Sequence, residues 1–255
     1  MSRQREPWGP GGGGRRGRPR GPVWARPEPA RRRPRYTREE IAAAAVAIAD
    51  AEGFEAVSMR RLAGELRAGT MTLYHYVHDK EELLALMDDA IMGELLIPDD
   101  ELPADWREAL DAIARRSRAA QRRHPWAAES LRGAGIGPNG MKHIDQSLAA
   151  VAGLAVDPQV QLEIVMMVDD YIEGFSVHAR EAHAEEIRPD DLGYTESLVA
   201  TGRYPRLAEL ADERGLRGVW ERFMVVMTDE ERFDRGLARL LDGIELDLRR
   251  RGALG

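Results

Sequence analysis

Residues Ser58–Leu84 read SMRRLAGELRAGTMTLYHYVHDKEELL. Ser58 is a good N-cap, since its hydroxyl can accept from an unpaired N–H of a first turn, and Met59–Leu66 follows as a short helix. Arg67–Gly69 interrupts it. The spacing predicts a second short helix over Thr70–Val77, and Asp79, with Glu82 at the third helical position, caps a longer one that Pro98 ends. Two short helices about three residues apart outline a helix-turn-helix. The second helix divides its residue types. Leu73 and Val77 lie four apart and can pack inward, whereas Thr72, Tyr74, His75 and Tyr76 point mostly elsewhere. Hydroxyl, ring-nitrogen and aromatic groups can hydrogen-bond phosphates or base edges and touch thymine methyls. Lys80, one of two lysines in the chain, follows at the start of the next helix. The positive N-terminal end of that helix would help it hold a phosphate.

Working outward, Thr37 and Glu40 form a T-x-x-E capping box, and Ile41, Ala44, Ala45, Ile48 and Ala49 follow at helical spacing. Gly53 closes that first helix. Phe54 and Val57 read as core anchors in a short link. Residues 1–35 are rich in Arg, Gly and Pro, a composition in which no regular element persists, and are read as a disordered tail. Beyond Pro98, helices are predicted near Asp105–Arg122, Trp126–Leu131, Gly140–Ala152, Pro158–Ala184, Thr195–Ala200, Tyr204–Arg214 and Asp229–Arg250. Asp157-Pro158 supplies a cap and an N1 proline, and Thr228 with Glu231 a further T-x-x-E box. Nothing alternates with period two long enough to be a strand. The expectation is an all-α chain: a tail at 1–35, a three-helix helix-turn-helix head with its following helix at 36–97, and a larger helical bundle at 98–255.

The totals narrow the function. There is no cysteine, which removes disulfides and thiolate chemistry and fits a reducing cytoplasm. No run of about 18 apolar residues exists, so no membrane helix is expected. The net charge of −7 divides unevenly: residues 1–35 carry eleven arginines against two glutamates, so the remaining residues carry −16. A basic arm on an acidic body points to an anionic partner. The arm contains R-G-R-P at Arg16–Pro19, which resembles an AT-hook core able to lie in a narrow minor groove. Coding bias toward arginine explains the same composition.

Ile41, Ala44, Ala45, Gly53-Phe54, Ser58–Ala63 with Leu66, Thr72–Val77 and Lys80–Leu84 together resemble the DNA-binding head of the TetR family of transcriptional repressors. The resemblance covers about Tyr36–Leu96. It extends more weakly through His124–Ala127 and Asp169–Phe175, which are similar to the tetracycline-repressor type of C-terminal domain. The resemblance implies a homodimer on a palindromic, double-stranded DNA operator, released when a small-molecule effector enters the body. Carried over residue by residue, the DNA-facing set is Ser58, Arg60, Thr70, Met71, Thr72, Tyr74, His75, Tyr76 and Lys80. One departure is the turn. Where the family usually reads Leu-Gly-Val-Ser, this chain has Leu66-Arg67-Ala68-Gly69, so the turn is either strained or shifted to make Thr70 the cap.

In the body, Pro158–Ala184 and Asp229–Arg250 are the candidates for a dimeric four-helix bundle, with apolar positions at Leu162, Val165, Met166, Leu237, Leu240, Leu241 and Ile244. An intramolecular core competes for the same residues. An effector pocket would be lined by Trp126, Met141, His143, Met167, Tyr171 and Phe175. Asp169–Glu173 spells D-D-x-x-E, the magnesium pattern of all-α isoprenoid enzymes. No second acidic motif accompanies it, and an interface helix explains the run more simply. His178 and His183 are five apart and make a poor metal pair. No catalytic set, cofactor or metal site is expected. The alternatives to an effector-controlled repressor are an effector-free architectural DNA-binding protein and, last, an all-α enzyme.

Overall fold

The computed structural model describes residues 22–26, 36–131, 133–184, 189–211 and 213–254. Within them the regular structure is helical, with no strand, and no helix is long and apolar enough to cross a membrane. The chain divides into two compact units, residues 1–105 with 115–150, and residues 106–114 with 151–255.

The first unit is built on α1 (Arg38–Glu52), α2 (Met59–Glu65), α3 (Thr70–Leu73) and α4 (Lys80–Leu95). The capping box of α1 forms in both directions: Glu40 N–H donates to Thr37 Oγ1 at 3.1 Å, and Thr37 N–H to Glu40 Oε2 at 2.8 Å. Ser58 and Asp79 cap α2 and α4 through their side-chain oxygens. Ile41, Ala45 and Ile48 of α1 meet Leu62, Leu73, Val77, Leu83 and Met87 in one core. Each such aliphatic side chain contributes about 1.5–3 kcal/mol by leaving water, so this small unit is held mainly by α1 against α4.

The second half of α5 (Trp106–Arg123), α6 (Ala127–Ser130) and most of α7 (Pro138–Val151) complete that unit. The start of α7 is capped from another helix. Asp89 of α4 accepts from the backbone N–H groups of Asn139 at 2.8 Å and Gly140 at 3.1 Å. One end of α4 is also stitched to α7 by Gln146, whose amide donates to Ile97 O at 2.7 Å and accepts from Ile97 N–H at 3.1 Å.

In the second unit, α8 (Pro158–Ala184) packs against α11 (Gly215–Thr228) and α12 (Glu230–Arg250). The helices α9 (Pro189–Ala200) and α10 (Pro205–Leu210) join α11 around Leu192, Leu216 and Val219. Tyr171 of α8 lies across α12 where Gly236 has no side chain: a Cβ there would sit 2.1 Å from the tyrosine oxygen. Tyr171 Oη donates to Phe233 O at 2.8 Å, and Phe175 meets Phe233 edge-on.

Several expectations change. The helix α11 stands where none was predicted. Its glycines and Phe223, Val225 and Val226 suit helices poorly, and packing on α8 overrides that preference. The stretch predicted as Tyr204–Arg214 is helical only over Pro205–Leu210. Thr228 is not a cap. Its hydroxyl donates back to Met224 O, and Asp229 caps α12 by accepting from Glu231 N–H at 2.9 Å. Residues Pro22–Arg26, inside the stretch read as tail, include a 3-10 turn whose Val23 enters the core of the first unit.

Candidate nucleic-acid interface

The reading segment begins at a strained turn. The end of α2 is a Schellman motif: Ala68 N–H donates to Ala63 O at 2.9 Å and Arg67 N–H to Gly64 O at 3.3 Å. That motif requires a left-handed residue after the helix. Arg67 fills the position with φ of 51°, the only non-glycine with positive φ among the described residues. Tyr36 Oη donates to Leu66 O at 2.9 Å and pins the same turn. Of the two alternatives read from the sequence, strain is the one found. Gly69, not Thr70, occupies the N-cap of α3, with no side-chain oxygen to offer.

α3 is regular only over Thr70–Leu73, shorter than the predicted Thr70–Val77. Its continuation tightens, with His75 N–H donating to Thr72 O and Tyr76 N–H to Leu73 O, both i→i+3 bonds. Leu73 and Val77 are fully buried, which fixes the segment's rotation on the head. Met71, 74% exposed, and His75 then face solvent, flanked by the half-buried Thr70, Thr72 and Tyr74. Tyr76 is a correction: only 3% exposed, it belongs to the core and has no free ring face for a base. Standing three residues after Leu73, it shares that residue's inward side. Ser58 spends its hydroxyl accepting from Arg61 N–H at 3.2 Å.

Three cations border the segment. Arg60 and Lys80 are exposed, as expected, and Arg67 adds a third that the sequence reading treated only as a turn anomaly. No ion pair holds Arg60 or Arg67 among the described residues, whereas Arg61 is engaged by Glu52 and Glu65. Lys80 Nζ lies 5.7 Å from the Phe54 ring centre, leaving its ammonium at the surface.

The six residues read as an effector pocket fall in both units. Trp126 stacks on Phe54 with ring centres 5.8 Å apart and donates to Asp50 Oδ1 at 2.7 Å, so its ring is occupied in holding α6 on α1. Beside it, His124, 2% exposed, places Nδ1 2.7 Å from Asp50 and Nε2 3.3 Å from Glu94. Met141 is exposed. His143 has a buried Nδ1 without a hydrogen-bond partner, and burial pushes its pKa down, favouring the neutral ring. In the second unit Met167 is part-exposed, and Tyr171 and Phe175 form the aromatic cluster with Phe233. Of the D-D-x-x-E run, Asp169 is pushed up to about 6 by burial and then by the neighbouring Asp170 charge. No group of three potential ligands converges among the described residues.

Comparison with known proteins agrees with this geometry. The family described as "Bacterial regulatory proteins, tetR family" matches residues 41–87, and "Tetracyclin repressor-like, C-terminal domain" matches residues 98–248. The chain is 35% identical over 231 residues to the HTH-type transcriptional repressor DrrR1 of Streptomyces coeruleorubidus, covering 86% of this chain and 82% of that protein. It is 32% identical to an HTH-type transcriptional regulator of Saccharopolyspora erythraea, covering 88% and 91%. Among solved structures, apo ActR from Streptomyces coelicolor superposes with a TM-score of 0.59 at 26% identity, over 85% of this chain and 98% of that one. ActR in complex with (S)-DNPA gives 0.59 at 27% identity, over 82% and 97%.

Proposed function

As this chain belongs to the TetR family of transcriptional regulators, we propose that it represses by seating Thr70–His75 in the major groove of a palindromic operator and releases it when a small molecule binds. The observation that carries the reading is the fixed rotation of the segment. Leu73 and Val77 are fully buried, so Met71 and His75, with the edges of Thr70, Thr72 and Tyr74, face away from the head. Arg60, Arg67 and Lys80 then stand at its rim, where phosphates would lie. We divide the chain into a DNA-reading head at 36–97 and an effector-binding and dimerising part at 98–255, working in the cytoplasm beside the DNA.

A palindrome requires two heads, and the second unit offers a face for a second copy. Val165, Leu237, Leu241 and Ile244 are consumed inside the unit, but Leu162 and Met166 on α8 are 51% and 53% exposed, and Leu246 on α12 is also exposed. Burying these against a symmetry mate gives an isologous interface. The spacing between the heads then sets the half-site separation.

Release requires an effector that prefers the conformation unfit for DNA. To take the protein from almost all bound-competent to almost all incompetent, that preference must be roughly 10⁴-fold. ActR, which has been seen with a small molecule, is the similar protein that supports this part. In this chain, the buried Nδ1 of His143, which has no hydrogen-bond partner among the described residues, is one polar atom that a ligand opening the first unit could engage. The test is footprinting on the DNA flanking its own gene and on duplexes selected from a random pool, beside a Tyr74→Ala/His75→Ala variant. A short palindromic footprint lost in the folded variant is the expected result. A footprint unchanged by the double substitution overturns the assignment of the reading segment.

A further inference from the structure

The turn between α2 and α3 carries a conformation that its residue resists. Arg67 has φ of 51°, in the left-handed region, where an L side chain is crowded by the backbone and where glycine normally follows a helix. The bonds around it require that conformation. Arg67 N–H donates to Gly64 O at 3.3 Å and Ala68 N–H to Ala63 O at 2.9 Å, a pair that forms only around a left-handed residue. Tyr36, 8% exposed and part of the core of the first unit, holds the turn from beneath. Its hydroxyl donates to Leu66 O at 2.9 Å and stands 3.5 Å from Arg67 O.

With those two carbonyls turned to the tyrosine hydroxyl, Arg67 itself is exposed. Its side chain makes no ion pair among the described residues. The nearest carboxylate in the sequence, Glu65, is bonded instead to Arg61 Nη1 at 2.8 Å. Arg67 stands three residues before Thr70, so the chain keeps its Cα within about 11 Å of the first residue of the reading segment. We propose that Arg67 grips a phosphate of the operator duplex, that its strained conformation is kept for that contact, and that Tyr36 is the positioning residue that holds the turn for it. This rests on the DNA-reading role argued above.

A residue that only closes this turn would be better as glycine, which adopts φ of 51° freely. An arginine there is explained by what its side chain does outside the fold, since strain of this kind gathers where a site needs it. The guanidinium is always charged, and its planar fork matches two oxygens of one phosphate. A duplex fits as the partner because phosphates border the groove that Met71 and His75 would enter, and contacts to them fix a protein's register. Each such contact releases counterions from the DNA, so its signature is the salt dependence of binding. Tyr36 contributes by ordering the turn before DNA arrives, which spares binding that entropy.

The test uses a duplex selected from a random-sequence pool by the full-length protein. Affinity is measured as a function of salt, and stability by urea unfolding, for Arg67→Gly, Arg67→Lys, Tyr36→Phe and the double variant Tyr36→Phe/Arg67→Gly. Arg67→Gly is expected to be at least as stable as the parent, yet to bind roughly 10-fold more weakly for each head engaged, the worth of one charge-assisted contact. Its slope of log Kd against log salt should flatten by about 0.9 per head. Arg67→Lys keeps the charge and should keep the parent's slope. Tyr36→Phe should lose several-fold in affinity, and that loss should vanish in the Arg67→Gly background, where no grip is left to position. A purely structural turn would move stability and leave the slope alone. An Arg67→Gly variant with the parent's affinity and slope overturns the grip, and one less stable than the parent overturns the strain. A lysine variant with the glycine variant's slope also overturns the grip, because the loss then does not follow the charge. Losses at Tyr36 and Arg67 that simply multiply overturn the positioning role. If the full-length protein selects no sequence, the DNA-reading role itself fails, an outcome distinct from the others.

Discussion

Replacing Asp89 with alanine tests how α7 is attached to the helix that follows the reading segment. Asp89 is 6% exposed and accepts from two backbone N–H groups at the open end of α7, while its own carbonyl accepts from the Asn139 side chain at 3.0 Å. Removing the carboxylate leaves both donors without that partner, the Gly140 N–H buried and the Asn139 N–H part-buried. Loss of an N-cap costs about 0.5–2 kcal/mol, and burial of the unpaired donors adds to it. Against this stands the cost of burying a carboxylate. Burial pushes the Asp89 pKa up, with the Gly140 and Asn139 N–H groups pulling it only partly back. The net expectation is a loss of about 1.5–3 kcal/mol. For a domain of this size that is a drop of roughly 4–10 °C in Tm, read by circular dichroism at fixed protein concentration, because the Tm of any self-associating protein depends on concentration. Asp89→Asn keeps an acceptor in place without the charge and should stay within about 1 kcal/mol of the parent. An alanine variant within about 0.5 kcal/mol of the parent would refute the trans-cap. An asparagine variant as damaging as alanine would show that charge, not acceptor geometry, holds α7.

Arg67→Gly should raise stability by about 0.5–1 kcal/mol in urea denaturation, because glycine adopts φ of 51° without the cost an arginine carries there; the same change should weaken DNA binding if Arg67 touches a phosphate. Asp169→Asn should stabilise by about 1–2 kcal/mol at pH 7.5, discounted for partial solvent access, and by almost nothing at pH 4. The carboxyl's folded pKa of about 6 lies above its ordinary 3.8, so the parent loses stability as pH rises between them, and the variant, which cannot ionise, does not. Gly236→Ala should cost about 2–4 kcal/mol by driving a methyl into Tyr171, with Tyr171→Phe recovering part of the loss in a double-mutant cycle.

The helices of the head were legible because their start signals are local. Thr37, Ser58 and Asp79 each sit one residue before the first helical residue, within four residues of an apolar periodicity, and each caps as expected. The division of Leu73 and Val77 from their polar neighbours was legible for the same reason. What could not be read is what depends on distant partners. Tyr76 looks like Tyr74 in residue type, but its place three residues after Leu73 turns it into the core. The helix α11 carries residues of poor helix propensity and forms because α8 covers one side of it. The buried turn at Val23–Arg26 had a signal, an apolar Val-Trp pair inside an arginine- and proline-rich run. Its partners, Glu82 and His78, lie more than fifty residues away. Trp126 and His124 follow the same pattern, since their carboxylate partners Asp50 and Glu94 come from α1 and α4.

The distribution of charge bears on how affinity and specificity divide. The exposed part of the reading segment is neutral apart from the ring of His75: Thr70, Met71, Thr72 and Tyr74 bring hydroxyls, a thioether and a ring edge. Such groups discriminate bases through hydrogen bonds and methyl contacts but attract DNA weakly from a distance. A chain that carries −16 beyond residue 35 would repel the duplex as it approached. On the proposed reading, phosphate attraction would come from few places: Arg60, Arg67 and Lys80 at the rim. Base reading and phosphate grip would thus sit on different parts of the first unit. Substitutions at Tyr74 or His75 should change which sequence is bound with little effect on salt dependence. Changes at Arg60, Arg67 or Lys80 should weaken all sequences alike and flatten the salt slope.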